Sequence, residues 1–377
     1  MAGVYFHIPF CKQACYYCDF HFSTNRDIKS GMVEALKREL LLQRHFLQDE
    51  NINTIYFGGG TPSLLSQEEL SGLLLTLKEL FAVDARAEIT LEANPDDLTE
   101  KYLTQLKQVG INRLSIGIQT FHNDLLTFMN RAHNAETAVQ IFSYARAAGF
   151  DNISIDLIYA IPGQDNDRWQ QDIEQALLLK PEHISCYSLT IETKTVFGKW
   201  SLAGKLKVVE DDIAAHQFEM LMDTLDKAGY EHYEISNFAQ PGFQSRHNSS
   251  YWKQENYLGI GPSAHSYNGV TRQFNISNNH LYLKAIAQNV VPAQKETLTA
   301  EDKINEYILT TLRTQWGTDM AYLKQNHNHN ILENNSAYIQ QIIAQGMALL
   351  NRDVLVLTRK GKLVADKIAA DLFVDKK

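Results

Sequence analysis

Three of the four cysteines lie within a short stretch near the start of the chain, at Cys11, Cys15 and Cys18, in the spacing C-x3-C-x2-C. Thiolates this close in sequence can converge on one small inorganic centre. A [4Fe–4S] cube is usually held by four cysteines, so three local ligands would leave one iron open to a ligand that is not protein. The spacing therefore predicts an iron–sulfur centre with one accessible iron.

Two other interpretations of these cysteines remain open. Zinc normally takes four ligands, and His7, Asp19 or His21 could complete a set with the thiols. The last two cysteines, separated by two tyrosines, also form the C-x-x-C pair of thiol–disulfide proteins. That pair usually opens a helix after a strand, and it would leave Cys11 without a role. Three unrelated cysteines would rarely fall this close together, so the iron–sulfur centre is favoured.

The residues around the cysteines carry a family resemblance. The stretch Tyr5–Phe20 reads YFHIPFCKQACYYCDF. It resembles the radical S-adenosylmethionine (SAM) superfamily, and within it the branch that contains oxygen-independent coproporphyrinogen III dehydrogenase and the HemW family of heme chaperones. The resemblance implies that the three cysteines hold a [4Fe–4S] cluster and that the amino and carboxylate groups of SAM chelate the fourth iron. It also implies contacts from Tyr5 and Tyr17 to SAM.

A glycine run, Gly58-Gly59-Gly60-Thr61, stands between a predicted strand and a predicted helix. Glycine lets the backbone approach a ligand closely. A phosphate-binding loop is the alternative, but the run has neither G-x-G-x-x-G nor a Gly-Lys-Ser/Thr ending. By resemblance, Gly59, Gly60 and Thr61 belong to the loop that binds the methionine end of SAM.

Further polar residues lie near the ends of predicted strands. Taken singly, each is compatible with an ordinary cap or surface position. Their contexts, LEANP, SIGIQTF, MNR and IDLIYAIPGQ, resemble the SAM site of the family. A carboxylate suits ribose hydroxyls, and the fork of an arginine suits the SAM carboxylate. The resemblance implies SAM contacts from Glu92, Gln119, Arg131, Asp156 and, less specifically, Thr190.

The segment His247–Trp252 reads HNSSYW and is followed by further aromatic residues. A neutral imidazole can be an axial heme ligand, and aromatic side chains offer apolar surface to a porphyrin. A histidine in a polar loop is more often structural. However, H-N-x-x-Y-W resembles the motif of the heme-binding branch, which implies that His247 is a heme ligand. His265 is a weaker candidate, and His327 and His329 fit a solvated turn.

Two departures separate the chain from the dehydrogenase. That enzyme typically has a further cysteine two positions after the third, where this chain has Phe20, and it carries a long N-terminal arm, whereas ten residues precede Cys11 here.

The resemblance therefore implies a heme chaperone that carries a cluster and SAM, binds heme and passes it to acceptor proteins such as respiratory membrane proteins. The alternative is the dehydrogenase itself, which decarboxylates coproporphyrinogen oxidatively. A zinc-stabilised interaction protein is the third hypothesis. A homodimer is compatible with all three, and no residue is singled out as catalytic.

Composition limits the classes of partner. The chain has 377 residues, enough for a large core. A formal net charge of −9 and a pI of about 5.8 argue against a nucleic-acid groove. No apolar run approaches the roughly 18 residues of a membrane span, and the first residues lack a signal-peptide pattern. The clustered cysteines do not resemble a secreted disulfide framework, so we expect a cytoplasmic protein.

Short β-rich runs alternate with helical patterns through the first half. The predicted strands are Val4–Ile8, Thr54–Phe57, Ala87–Ala93, Arg113–Ile118, Asn152–Tyr159 and His183–Ile191. This alternation predicts an α/β fold with a parallel sheet, and the resemblance implies a partial (β/α)6 barrel. The cysteines, the glycine run and the polar candidates fall near the C-terminal strand ends, where βα barrels carry their chemistry.

The alternation stops after about residue 200. Residues 237–280 are rich in Asn, Gly, Ser and aromatics and are predicted as a long loop. Helical patterns and a predicted hairpin over 349–358 then indicate a smaller, mostly helical, winged-helix-like C-terminal domain. We expect a barrel with the cluster and SAM sites at 1–230, a connecting region with the HNSSYW segment at 231–295, and the C-terminal domain at 296–377.

Overall fold

A large mixed sheet forms the centre of the structure, a computed structural model that describes residues 2–48 and 51–374. Its first six strands are β1 (Ala2–Ile8), β2 (Ile52–Gly59), β3 (Val83–Ala93), β4 (Arg113–Gln119), β5 (Ile153–Tyr159) and β6 (His183–Ser188). They pair in chain order, and every pair is parallel. The predicted α/β fold with six parallel strands is confirmed.

Helices connect these strands and cover the sheet. They are α1 (Lys29–Leu42), α2 (Gln67–Leu80), α3 (Glu100–Val109), α4 (Asn123–Phe128), α5 (Ala135–Ala147), α6 (Asn166–Leu179), α7 (Val196–Leu202) and α8 (Asp211–Lys227). Leu36 of α1, Leu73 of α2 and Trp169 of α6 are fully buried in the core. The helices bury their apolar faces on the sheet, and the polar candidate residues lie on the strands and in the loops that follow them.

The sheet continues beyond the six strands on both sides. The added elements are β7 (Glu231–Glu234), β8 (Asn237–Ala239), α9 (Arg246–Trp252), β9 (Asn256–Ile260), β10 (His265–Tyr267), β11 (Thr271–Asn275), α10 (Asn279–Ala287) and β12 (Ala293–Thr297). The strand order is β12-β11-β10-β9-β1-β2-β3-β4-β5-β6-β8-β7. β9 is parallel to β1, whereas β10–β12 and the β8–β7 pair run antiparallel to their neighbours.

The long loop predicted over 237–280 is therefore wrong. This prediction overlooked a turn signal within the segment. In that turn, Oδ1 of Asn268 accepts a hydrogen bond from Thr271 N at 2.8 Å. Gly269 next to it has a positive φ of 83°. Asn followed by Gly is typical of a hairpin turn, and here it joins β10 to β11.

The C-terminal part has its own small core around Ile308 and Leu355. Its elements are α11 (Ala300–Leu312), β13 (Thr318–Asp319), α12 (Met320–His327), α13 (Ile331–Asn334), α14 (Ser336–Ala344), β14 (Ala348–Asn351), β15 (Val354–Leu357), α15 (Arg359–Lys362) and α16 (Ala365–Asp371). The three strands form one sheet in the order β13-β15-β14. The mostly helical C-terminal unit with a hairpin is confirmed, and the exact division of the chain into three parts stays a prediction. Among the described residues, no helix combines the length and apolar character that crossing a membrane requires.

Candidate functional site

The cysteine loop directly follows β1, and its three thiols are half-buried and free of disulfides. Two sets of hydrogen bonds hold the loop in place. Cys11 N donates to Ser23 O at 3.0 Å. On the other side, Asn130 Nδ2 donates to Ala14 O and Gln13 Nε2 donates to Asn130 O, both at 2.7 Å. The segment after α4 thus fixes the loop that carries the thiols.

Two of the sulfurs already have hydrogen-bond donors. Thr61 Oγ1 donates to Cys11 Sγ at 3.3 Å, and Arg131 Nη1 approaches Cys15 Sγ at 3.5 Å. Burial raises the pKa of Cys11 and of Cys18 to about 11, so these thiols need a bound cation to lose their protons near neutral pH. Within the described residues, no three His, Cys, Asp or Glu side chains are gathered closely enough to hold a single ion. Three free thiols, two of which accept hydrogen bonds at sulfur, form the kind of ligand set that holds an iron–sulfur cluster.

Arg131 connects the cysteine loop to two strand ends. Its Nη2 donates to Asn94 Oδ1 at 2.6 Å and to Gly117 O at 2.8 Å, and its Nη1 lies 3.4 Å from the hydroxyl of Tyr17. Asn94 Nδ2 in turn donates to Thr61 Oγ1 at 3.2 Å. In the described part of the chain the buried Nε of Arg131 has no hydrogen-bond partner, which leaves a cationic donor for an anionic ligand. The sequence prediction did not include Asn94, although it stands in the LEANP context.

Gly59, the last residue of β2, and Gly60 are required by close contact with β1 and with the start of the cysteine loop. A Cβ on Gly60 would lie 2.7 Å from Phe10 O and 2.8 Å from Ile8 O. Gly59 has a φ of +104°, and a Cβ there would lie 2.7 Å from the His7 ring. Both residues therefore allow β2 to end against the cysteine loop. Their contact with SAM stays a prediction.

Two carboxylates, Glu92 on β3 and Asp156 on β5, lie on the strands that flank β4. Tyr56 Oη donates to Glu92 Oε1 at 2.8 Å, and Ser115 Oγ donates to Asp156 Oδ1 at 3.2 Å. Burial raises the pKa of Glu92 to about 7 and that of Asp156 to about 6. Both side chains are nevertheless partly exposed. Such carboxylates can accept hydrogen bonds from hydroxyl groups of a ligand that enters from the strand ends.

Gln119 and Thr190 differ in their positions relative to Arg131 and the strand ends. Gln119 ends β4 with a φ of 72°. A Cβ built on Gly117 would lie 2.8 Å from Gln119 Nε2 and 3.3 Å from Arg131 Nη2. Gln119 and Arg131 therefore both approach Gly117, and Gln119 has a left-handed backbone conformation of the kind found at functional sites. Thr190 is exposed and lies beyond the end of β6, because that strand stops at Ser188 and not at the predicted Ile191.

His247 lies on α9, not in a polar loop, and only 1% of its surface is exposed. Its Nδ1 is hydrogen-bonded to Thr54 Oγ1 and its Nε2 to Tyr251 Oη, each at 2.8 Å. The ring stacks on Tyr56 at 5.0 Å and on Tyr5 at 6.4 Å between centroids. Burial lowers the pKa of His247 to about 3. In this conformation neither ring nitrogen is free to meet an iron, so a ligand role for His247 would require the ring to leave its pocket.

A cavity of about 700 Å³ opens beside the cysteine loop. Its walls come from β1, the cysteine loop, α9, β9–β11 and α11. The lining residues are Tyr5, His7, Asp19, Phe20, His21, Tyr251, Trp252, Gln254, Tyr257, Ser263, His265, Tyr267, Arg272, Glu306, Leu309 and Thr310. The volume lies within the range of small-molecule sites, and a mainly aromatic lining with a few polar groups is typical of them. Phe20, which replaces the further cysteine of the dehydrogenase, is 74% exposed here.

Comparisons with known proteins fit this arrangement. Residues 5–176 match the model of the radical SAM superfamily, and residues 298–364 match the HemN C-terminal domain. The heme chaperone HemW of Lactococcus lactis is 37% identical over 377 residues, which cover 99% of this chain and 97% of the relative. HemW of Bacillus subtilis is 34% identical over 98% of each chain. The solved structure of coproporphyrinogen III oxidase (HemN) from Escherichia coli superposes with a TM-score of 0.85 at 23% identity, covering 99% of this chain and 90% of that one, and shares its fold.

Proposed function

The chain belongs to the HemW family of heme chaperones within the radical SAM superfamily, and from this premise we propose that it binds heme and transfers it to an acceptor protein. In this proposal it does not oxidise coproporphyrinogen. Heme is the cargo, whereas the cluster and SAM are resident groups that the superfamily implies.

Hydrogen bonds through Thr61, Asn94 and Arg131 link two of the three clustered cysteines, Cys11 and Cys15. We propose that Cys11, Cys15 and Cys18 bind the cluster. Bound SAM on a reduced cluster supplies radical chemistry throughout the superfamily. In this chain, the unpartnered Nε of Arg131 would orient the SAM carboxylate, and Glu92 would accept hydrogen bonds from its ribose.

Further SAM contacts are part of the proposal. Their residues lie on the strands, on the glycine loop or in the cysteine loop, and Thr190 lies beyond the end of β6. They are Tyr5, Tyr17, Gly59, Gly60, Thr61, Gln119, Asp156 and Thr190.

The single observation that carries the heme proposal is the aromatic cavity next to the cysteine loop. Tyr251 and Trp252 of the HNSSYW segment both line it, as do Phe20 and Tyr257. In the described part of the chain, the buried indole Nε1 of Trp252 has no hydrogen-bond partner. A flat apolar molecule with a few acceptor groups at its edge fits these walls, since the rings pack against its faces and the indole can donate to its edge. In this role His247 positions Tyr251 through their hydrogen bond.

Oxidative decarboxylation of coproporphyrinogen is the alternative function. The observation in its favour is the group of polar side chains around Arg131. A chaperone that binds SAM without cleaving it would not need all of these side chains. The observation against it is Phe20 at the position of the further cysteine typical of that enzyme.

The acceptor and the compartment are also part of the proposal. Three free thiols so close together suit a reducing compartment, so we propose that the chain works in the cytoplasm. A respiratory membrane protein is the proposed acceptor class, and a homodimer is the proposed assembly.

A paired anaerobic experiment tests this function. The reconstituted protein is incubated with coproporphyrinogen III, SAM and a reductant, and separately with heme followed by an apo-form of a heme protein. We expect stoichiometric heme binding and transfer without formation of protoporphyrinogen. Catalytic formation of protoporphyrinogen would refute the chaperone-only function, and a colourless preparation that contains zinc would refute both functions.

A further inference from the structure

His265 stands out among the histidines of the cavity. It lies on β10 with its side chain exposed and lines the cavity. Its ring stacks on Phe274 of β11, with centroids 5.7 Å apart. Within the described part of the chain, neither of its ring nitrogens is hydrogen-bonded. The imidazole is thus held in place by a ring contact while its nitrogens remain available.

The other imidazoles near the cavity are hydrogen-bonded to different extents. His7 uses both nitrogens, Nε2 with His21 O at 2.8 Å and Nδ1 with Tyr5 Oη at 3.4 Å. His21 uses Nε2 alone, with Asn279 Oδ1 at 2.8 Å, so among the described residues His265 is the cavity histidine with both nitrogens free of hydrogen bonds. His247 has both nitrogens bonded and does not line the cavity. Burial and the nearby Arg272 lower the pKa of His265, which favours the neutral form that binds metals.

Arg272 provides a charged group at a fixed offset from His265. In the β10–β11 ladder His265 pairs with Phe274, and Tyr267 pairs with Arg272. His265 and Arg272 are therefore diagonal neighbours on one face of the hairpin, a relationship in which the two residues are typically about 7–8 Å apart. Arg272 also lines the cavity and pairs through Nη2 with Glu306 of α11 at 2.6 Å. A guanidinium has five donors, so this ion pair leaves others for a second carboxylate.

We infer that His265 supplies the imidazole that binds the heme iron and that Arg272 binds a heme propionate. This inference rests on the proposed function, because it assigns residues to its cargo. The porphyrin then lies along the face of the β10–β11 hairpin, with its iron over His265 and one carboxylate edge at Arg272. The aromatic side chains of α9 and the cysteine loop enclose its other face.

Two ligands that differ only in the iron separate the two roles. Hemin carries both iron and propionates, whereas metal-free protoporphyrin IX carries the propionates alone. His265→Ala should raise the Kd for hemin by about tenfold or more, the equivalent of losing about 1.4 kcal/mol, and should remove the spectrum of nitrogen-ligated iron. It should leave the Kd for protoporphyrin IX unchanged. Arg272→Gln should raise both Kd values by a similar factor.

Matched variants control for loss of an exposed imidazole or guanidinium. His280→Ala removes an exposed histidine and Arg86→Gln an exposed arginine, neither of which lines the cavity. Both should bind as the parent chain does. In His265→Gly, added imidazole should restore the nitrogen-ligated spectrum, which a merely structural role for His265 would not allow.

The outcomes distinguish this inference from the function on which it rests. If the parent chain binds no hemin saturably, the proposed function fails. If it binds hemin and His265→Ala keeps the same Kd and spectrum while His247→Ala loses them, the proposed function stands and the assignment of His265 is overturned. Equal losses of hemin and protoporphyrin IX in His265→Ala would also overturn it.

Discussion

The Nε2 of His247 lies 2.8 Å from the hydroxyl of Tyr251, one helical turn away on α9. Tyr251 lines the cavity, while His247 is buried behind it between Tyr56 and Thr54. The histidine of the HNSSYW segment therefore does not line the cavity itself. It positions Tyr251, which does.

Replacing His247 should mainly lower stability. His247→Ala leaves Thr54 and Tyr251 without a hydrogen-bond partner and empties a fully packed site, so the free energy of unfolding should fall by about 2–4 kcal/mol. His265→Ala, which loses one ring contact at an exposed position, should change it by about 0.5 kcal/mol or less. Urea unfolding of the two variants beside the parent chain measures both values. An unchanged stability in His247→Ala would contradict the buried, doubly bonded ring.

The three clustered cysteines should be individually required for the cluster. Cys11→Ala, Cys15→Ala and Cys18→Ala should each lose iron, sulfide and the brown colour after anaerobic reconstitution. Cys186→Ala is the matched control, because Cys186 is buried on β6 and is the fourth cysteine of the chain. Loss of iron and sulfide in Cys186→Ala would refute the three-ligand assignment.

Gly60 and Gly31 offer a paired test of the glycine loop. Gly60→Ala would place a Cβ 2.7 Å from Phe10 O, so β2 and the cysteine loop must move apart and both cluster content and SAM affinity should fall. Gly31 lies in α1 with no atom within 4 Å of an added Cβ, so Gly31→Ala should keep both and should stabilise the fold by up to about 1 kcal/mol. Equilibrium dialysis with SAM and iron analysis report the two effects. Full cluster content in Gly60→Ala would contradict the requirement for close packing.

Glu92 should contribute a measurable pH dependence. Burial raises its pKa from 4.5 to about 7. A raised folded-state pKa gives stability that is fully present below about pH 4.5 and is lost as the pH rises through about 7. In Glu92→Gln that contribution, about 1–3 kcal/mol for a partly exposed carboxyl, should be absent across this window. Urea unfolding at pH 5 and pH 8 compares the parent chain with the variant, and equal pH slopes in both would contradict the raised pKa.

The six-strand core was predictable from the sequence because it rests on local signals. Each apolar run of β1–β6 is followed by a helical period, and parallel strands bring their C-terminal ends to one edge. Residues far apart in sequence, such as Thr61 and Arg131, could therefore be expected together. Asn94, which joins them by hydrogen bonds, was not predicted, since an Asn before Pro usually reads as a turn residue.

The heme-side residues were harder to predict because pairing across the sheet decides their places. β9 (Asn256–Ile260) pairs with β1 although seven strands separate them along the chain, and this pairing brings α9 and the β10–β11 hairpin beside the cysteine loop. The motif drew attention to His247, yet its burial depends on Thr54 of β2, 193 positions away in sequence. No local pattern encodes such a contact. The Asn268-Gly269 turn was the one local signal that could have placed His265 and Arg272 on a common face.

Titration of the reconstituted protein with heme under anaerobic conditions, followed by absorbance, tests directly whether the chain binds heme at a defined site. We expect saturation at one heme per chain, with a spectrum of nitrogen-ligated iron. Transfer should follow when an apo-heme protein is added. Absorbance that rises without saturation, as for heme adsorbed to protein surfaces, would contradict a heme chaperone. The cavity would then bind a ligand other than heme.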